Sequence, residues 1–214
     1  MNPVVHERLP AFATACRKAA DHGLMQCSSG NMSWQVDAEY VLVTASRSWM
    51  AELTVREVTV CRLADGAVLA GNPPSVESRF HLGILRARPE MSVVLHFQSP
   101  AATTLACCDP AKIEYRVLPE VPFYIGQPAV VPFLLPGTEE LAEAVIEALT
   151  GHDLAVLCNH GQVVVGRDPD DAIQKAVFFE MVCQMLLTGR EIRPLPTDAM
   201  RALEAMGKDR TGRV

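Results

Sequence analysis

Pro73-Pro74-Ser75-Val76-Glu77-Ser78-Arg79-Phe80-His81-Leu82-Gly83-Ile84-Leu85-Arg86-Ala87-Arg88-Pro89-Glu90-Met91-Ser92-Val93-Val94-Leu95-His96-Phe97-Gln98 reads as a helix followed by a buried strand. The two prolines break the preceding segment, and Ser75 is a good N-cap. The pattern predicts a helix from about Val76 to Arg88, closed by Pro89. Glu77 then falls in the first turn, where the helix dipole favours a carboxylate, and His81 lies four residues on along the same face. Dipole compensation is the plain explanation of Glu77, and a hydrogen-bonded core histidine that of His81. Ser92 to Gln98 reads as strand, so His96 and Gln98 share one side and Phe97 takes the other. His-x-Gln in that geometry is either a two-point clamp on a metal or a core histidine beside a polar strand end.

Upstream, Leu9, Phe12, Ala13, Cys16 and Ala19-Ala20 recur at helical spacing, giving a helix over Pro3–His22 that Gly23 stops. Cys27-Ser28-Ser29-Gly30-Asn31-Met32-Ser33-Trp34 predicts a sharp turn able to offer backbone N–H groups to an anion. Tyr40–Thr44 is a β-branched strand running into the polar loop Ala45-Ser46-Arg47-Ser48. Val58–Leu63 and Val68–Ala70 make a hairpin around Asp65-Gly66.

Downstream, Ser99 and Pro100 open a helix over Ala101–Cys108. Val117–Gly126 is proline-rich and is expected to be extended, and Val130–Phe133 suits a sheet edge because Pro132 donates no ladder hydrogen bond. Thr138 caps a helix with the stripe Leu141, Val145, Ile146 and Leu149, ended by Gly151. Leu154–Cys158 and Gln162–Gly166 pair through Asn159-His160-Gly161. Asn159 and Gly161 already supply the turn chemistry, which leaves His160 as a candidate third ligand. A long helix spans Asp170–Leu187, and a polar helical tail beyond Pro196 is expected to fray after Gly207.

The bulk figures exclude several classes. A chain of 214 residues with 49% hydrophobic and 21% charged residues is globular, with residues 1–214 expected as one domain and 190–214 as a tail. Lys plus Arg is 19 against 25 Asp plus Glu, net −6, with no basic patch, so nucleic acid is not an expected partner. No run approaches a membrane span, and Met1–Arg8 lacks a signal-peptide layout. The seven cysteines show no Cys-x-x-Cys spacing, which suits reduced thiols and a cytoplasmic setting.

The ordered motifs resemble the class II aldolase/adducin family over nearly the whole chain. They are Gly30-Asn31-Met32-Ser33, Thr44-Ala45-Ser46, Pro74-Ser75-x-Glu77 with His81, Val94-Leu95-His96, Pro136-Gly137-Thr138-Glu139-Glu140-Leu141 and Asn159-His160-Gly161-x-Val163-x-Val165-Gly166. The resemblance implies a three-layer α/β/α fold with a largely antiparallel sheet. It also implies a homotetramer with active sites at subunit interfaces, and a divalent metal, commonly zinc, on three histidines. His96 and His160 match two of these, and Gln98 stands at the third. Glu77 matches the acid/base, Gly30, Asn31, Thr44 and Ser75 match the phosphate cradle with Ser46 beside them, and Tyr124 is the nearest match to a proton-donating tyrosine from a neighbouring subunit.

Two further departures alter that cradle: Arg47 replaces the family's usual glycine, and Val76 replaces a serine. Arg47 suits bidentate contact with a phosphate or carboxylate. The implied activity is a lyase cleaving or forming a carbon–carbon bond in a small, phosphorylated keto-sugar through a metal-stabilised enediolate. Decarboxylation of a hydroxy or keto acid, dehydration and epimerisation need an equivalent intermediate and stay open. So does an adducin-like assembly module, with Gln98 marking a decayed site.

Overall fold

Eight strands form one sheet in the computed structural model, which describes residues 3–211. They are β1 (Asn31–Gln35), β2 (Tyr40–Thr44), β3 (Val58–Arg62), β4 (Val68–Ala70), β5 (Val93–Phe97), β6 (Ala129–Val131), β7 (Leu154–Leu157) and β8 (Gly161–Gly166). Their spatial order is β4-β3-β2-β1-β5-β8-β7-β6. Neighbours run antiparallel except β6 and β7, whose parallel pairing requires a crossover helix between them. The helices are α1 (Pro3–Asp21), α2 (Ser78–Ala87), α3 (Pro100–Ala106), α4 (Glu139–Gly151), α5 (Pro169–Leu186) and α6 (Thr197–Thr211), and α4 supplies that crossover.

Alternation along the strands separates two cores. Val93, Leu95 and Phe97 join Met32, Leu42 and Val164 against α1, α3 and α5, through Phe12, Ala102 and Phe179. Val94, Val163 and Val165 join Val41 and Val43 against α2 and α4, through Phe80, Ile84, Leu141 and Val145. The result is the expected three-layer α/β/α arrangement with a largely antiparallel sheet. Every residue of β5 is buried, as a central strand covered on both faces requires.

The sequence reading needs three corrections. Asn31–Gln35 is a strand in mid-sheet, not part of a turn. Its polar residues, Asn31 and Ser33, are buried and find partners on α2, so their chemistry hid the strand. Helix α2 begins at Ser78, not Val76, because Ser75 spends its hydroxyl on the Glu77 N–H at 3.3 Å in a turn before the helix. Glu77 therefore occupies the N-cap position, yet its carboxylate makes no cap hydrogen bond and is free to face elsewhere. Val121–Ile125 forms a π-helical turn, not an extended segment, ended by Gly126 at φ +79°. Within α6, Gly207 packs onto the Phe123 carbonyl, with no room for a side chain, and the helix runs to Thr211.

Candidate metal centre and active site

His96 is on the α2 face of β5, 1% exposed, with the edge of Phe80 against it. Its Nδ1 lies 2.9 Å from the Gln162 carbonyl on neighbouring β8. A carbonyl only accepts, so Nδ1 carries the hydrogen and the lone pair is left on Nε2. His160 reaches the same place from the β7–β8 turn, where Asn159 adopts φ +55°. Gly161 lets that turn close, since a Cβ there would lie 2.7 Å from the Phe97 carbonyl oxygen and 3.1 Å from His96 Cε1.

Glu77 sits between the two rings. Its Oε2 is 3.5 Å from His96 Nε2, and its Oε1 is 3.4 Å from His160 Nε2. One donor atom from each of Glu77, His96 and His160 falls within a 4.8 Å group. Asn31 Nδ2 donates to Oε2 at 2.9 Å, whereas Oε1 is buried with no hydrogen-bond partner among the described residues. Two imidazoles and a carboxylate with an unsatisfied oxygen form the three-donor, open-sided set that a divalent cation takes.

The charge states suit such an ion. Burial raises the Glu77 carboxyl, but His96, the Asn31 N–H, His160 and His81 outweigh it, and the group lies below the usual carboxylate range. Burial foremost, then the charge of His96, brings His160 down to about 4. Glu77 and His160 are thus held deprotonated, the state in which such groups bind metal.

The trio is on the wall of a cavity of about 500 Å³ lined also by Ser28, Ser29, Gly30, Asn31, Ser46, Arg47, Ser48, Ser75, Val76 and Gln98. Gly30, at φ +87°, brings this loop against β5: a Cβ would meet the His96 carbonyl oxygen at 2.7 Å. Arg47 and Ser46 are exposed at the rim, and Arg47 holds φ +64°. Gln98 follows β5, half-buried beside Gly161 and lining the same cavity, and the Glu77 carboxylate lies between the two histidines. Thr44 is 1% exposed and accepts the Met32 N–H at 3.3 Å, which places it behind the lining and not in it. Tyr124 packs on Phe178, 5.1 Å between centroids, and borders a different cavity of its own chain with Gln127, His152 and Glu204. Sequence reading missed Ser33, while His81, read as a hydrogen-bonded core histidine, is buried with both ring nitrogens partnered. The four-residue step from Glu77 to His81 was the available signal.

A layered sheet that presents two imidazoles and a carboxylate in an open cavity defines a scaffold for a divalent-metal enzyme. The sequence pattern of the Class II Aldolase and Adducin N-terminal domain matches residues 11–187, and the chain belongs to that family, whose enzymes depend on a divalent metal. The 3-oxo-tetronate 4-phosphate decarboxylase of Haemophilus influenzae is 33% identical over 198 residues, which cover 90% of this chain and 93% of that protein. The L-fuculose phosphate aldolase of Methanococcus maripaludis is 30% identical over 177 residues, covering 83% and 94%. The crystal structure of YgbL from Klebsiella pneumoniae aligns with a TM-score of 0.83 at 27% identity, covering 90% of this chain and 95% of that one.

Proposed function

We propose that the protein is a metal-dependent carbon–carbon lyase that decarboxylates a small, phosphorylated 3-oxo acid. The observation that carries this reading is the Glu77 carboxylate, oriented by Asn31 between two imidazoles and facing an open cavity. The likeness to 3-oxo-tetronate 4-phosphate decarboxylase supplies the substrate class. His96, His160 and Glu77 would hold the cation, with Gln98 beside them, and zinc would suit such donors. When bound, the cation supplies a Lewis acid that draws electron density onto substrate oxygens.

The other steps belong to the chain. The hydroxyls and backbone of Ser28–Gly30, Ser46–Ser48 and Ser75 receive the phosphate and fix the carbon skeleton. The bond from the carboxyl carbon to C2 breaks, carbon dioxide leaves, and the electron pair passes into the neighbouring 3-oxo group. Glu77, once it has taken up a proton from solvent, is the group placed to hand one to C2, restoring the ketone. Tyr124, remote from this cavity in its own chain, acts on this reading in the site of a neighbouring copy of a homotetramer. Aldol cleavage of a ketose phosphate is the second reading, and the likeness to L-fuculose phosphate aldolase favours it.

Incubating metal-loaded protein separately with a 3-oxo-tetronate 4-phosphate and a ketose 1-phosphate separates the two. Carbon dioxide without aldehyde, lost on chelation and in Glu77→Gln, is expected. Aldehyde release would select the second reading, and a protein that binds metal but releases neither would sink both.

A further inference from the structure

A buried chain of polar groups stands behind Glu77. Asn31 Nδ2 donates to Glu77 Oε2 at 2.9 Å, Asn31 Oδ1 is 2.5 Å from His81 Nε2, and His81 Nδ1 is 2.9 Å from Ser33 Oγ. Ser33 and His81 are fully buried, and Asn31 is 8% exposed. We infer that His81 and Ser33 are positioning residues that turn the Asn31 carboxamide so that its N–H, and not its oxygen, meets Glu77.

The hydrogen inventory of each group fixes the pattern. An ionised carboxylate only accepts, so the Asn31 amide nitrogen must face it. Asn31 Oδ1 then faces His81 and can only accept, so His81 Nε2 carries the ring hydrogen. In a neutral ring Nδ1 is left with a lone pair, which takes the Ser33 hydroxyl hydrogen. The opposite tautomer would carry its hydrogen on Nδ1, toward Ser33. Were the ring in that other tautomer, Asn31 would have to donate to His81 and turn its own oxygen onto the Glu77 carboxylate, placing two acceptors face to face.

Histidine suits the post because a flat ring offers nitrogens in two directions from one anchored position. Phe80 stacks on it at 4.8 Å with 16° between planes, which fixes the ring's tilt. Ser33 and Asn31 are alternate residues of β1 and so point to the same face as α2.

Nitrogen NMR of metal-free protein carrying labelled histidine tests this without reference to turnover. The expected spectrum shows a neutral His81 ring protonated at Nε2, with the Nδ1 signal moving in Ser33→Ala. A ring protonated at Nδ1 would overturn the inference. With an active substrate, His81→Phe and Ser33→Ala are expected to lower kcat by about 10- to 100-fold with KM unchanged, the size seen when partners behind a ligand are removed. His81→Gln, which restores a donor toward Asn31, should recover part of the loss. Full turnover in a folded Ser33→Ala protein would also overturn it. The kinetic arm rests on Glu77 serving the proposed reaction, whereas an inactive wild type with the expected tautomer would count only against that reaction.

Discussion

Arg47 is held at φ +64° by its neighbours: Ser46 N–H bonds to the Pro73 carbonyl at 2.9 Å and Ser48 N–H to the Ala45 carbonyl at 3.3 Å. A left-handed conformation costs an L-residue about 1–2 kcal/mol. Arg47→Gly removes that strain but returns about 0.5–1 kcal/mol of backbone freedom to the unfolded chain. No hydrogen bond or ion pair of the Arg47 side chain exists among the described residues, so nothing else is lost. The balance is a gain of about 0.5–1 kcal/mol, or about 1–4 °C in a chain of this size, measured by calorimetry. Arg47 lines the cavity at its rim, and on the proposed function its guanidinium meets the substrate phosphate. Losing a charged hydrogen-bonding partner of about 1.5–3 kcal/mol predicts a KM raised about 10- to 150-fold. Arg47→Ala keeps the strain and loses the charge, so it should share the KM effect without the gain in stability. A glycine variant that melts below wild type would refute the strain argument, and an unchanged KM in both variants would refute the binding role.

Glu180→Ala strands the Ser99 hydroxyl and the Ala101 and Ala102 N–H groups, which it accepts at 2.7, 3.1 and 2.8 Å. A loss of about 3 kcal/mol in urea unfolding is expected, and less than about 1 would show that these donors find other partners. Gly161→Ala pushes a methyl onto the Phe97 carbonyl and the His96 ring, so zinc affinity by titration calorimetry should fall while the fold persists; unaltered affinity would remove Gly161 from the site's design. Zinc at one hundred times its Kd should stabilise wild type by about 2.7 kcal/mol and leave His96→Ala untouched. For pH, burial brings His81 down to about 3, and burial with His96 brings His160 to about 4, both below the ordinary 6.5. Between those values the unfolded chain binds protons that the folded one refuses, so metal-free stability rises with pH from about 3 to 6.5 and levels off above. His81→Gln should flatten that slope, and an equal slope in both proteins would place the effect elsewhere.

The strands rich in branched residues, Tyr40–Thr44, Val58–Arg62 and Gly161–Gly166, were legible because their composition and their neighbouring turns agree. Strand β1 was not, since its buried face is polar and only α2, some fifty residues on, gives Asn31 and Ser33 their partners. The late start of α2 was hidden for a related reason: Ser75 could cap a helix or a turn, and the choice depended on where Glu77 was needed. The two histidines of the candidate metal centre were legible by type and turn context. That Glu77 stands between the rings was not, because it lies nineteen residues from His96 on the chain and only the fold brings its carboxylate there.

Strands β4, β3, β2, β1 and β5 come from one continuous stretch of chain and can pair as soon as Phe97 is made. The outer edge of β5, carrying His96, then has no partner until β8 arrives, about 70 residues later. At ordinary synthesis rates that wait is roughly 4–14 s. During it the nascent protein shows a bare, apolar strand edge, the kind of surface that recruits other chains. The closing of that edge also delivers His160 to Glu77 and His96, so a cation binding all three donors is captured only once the sheet is whole, and a chain truncated before β8 would be both unloaded and prone to aggregate.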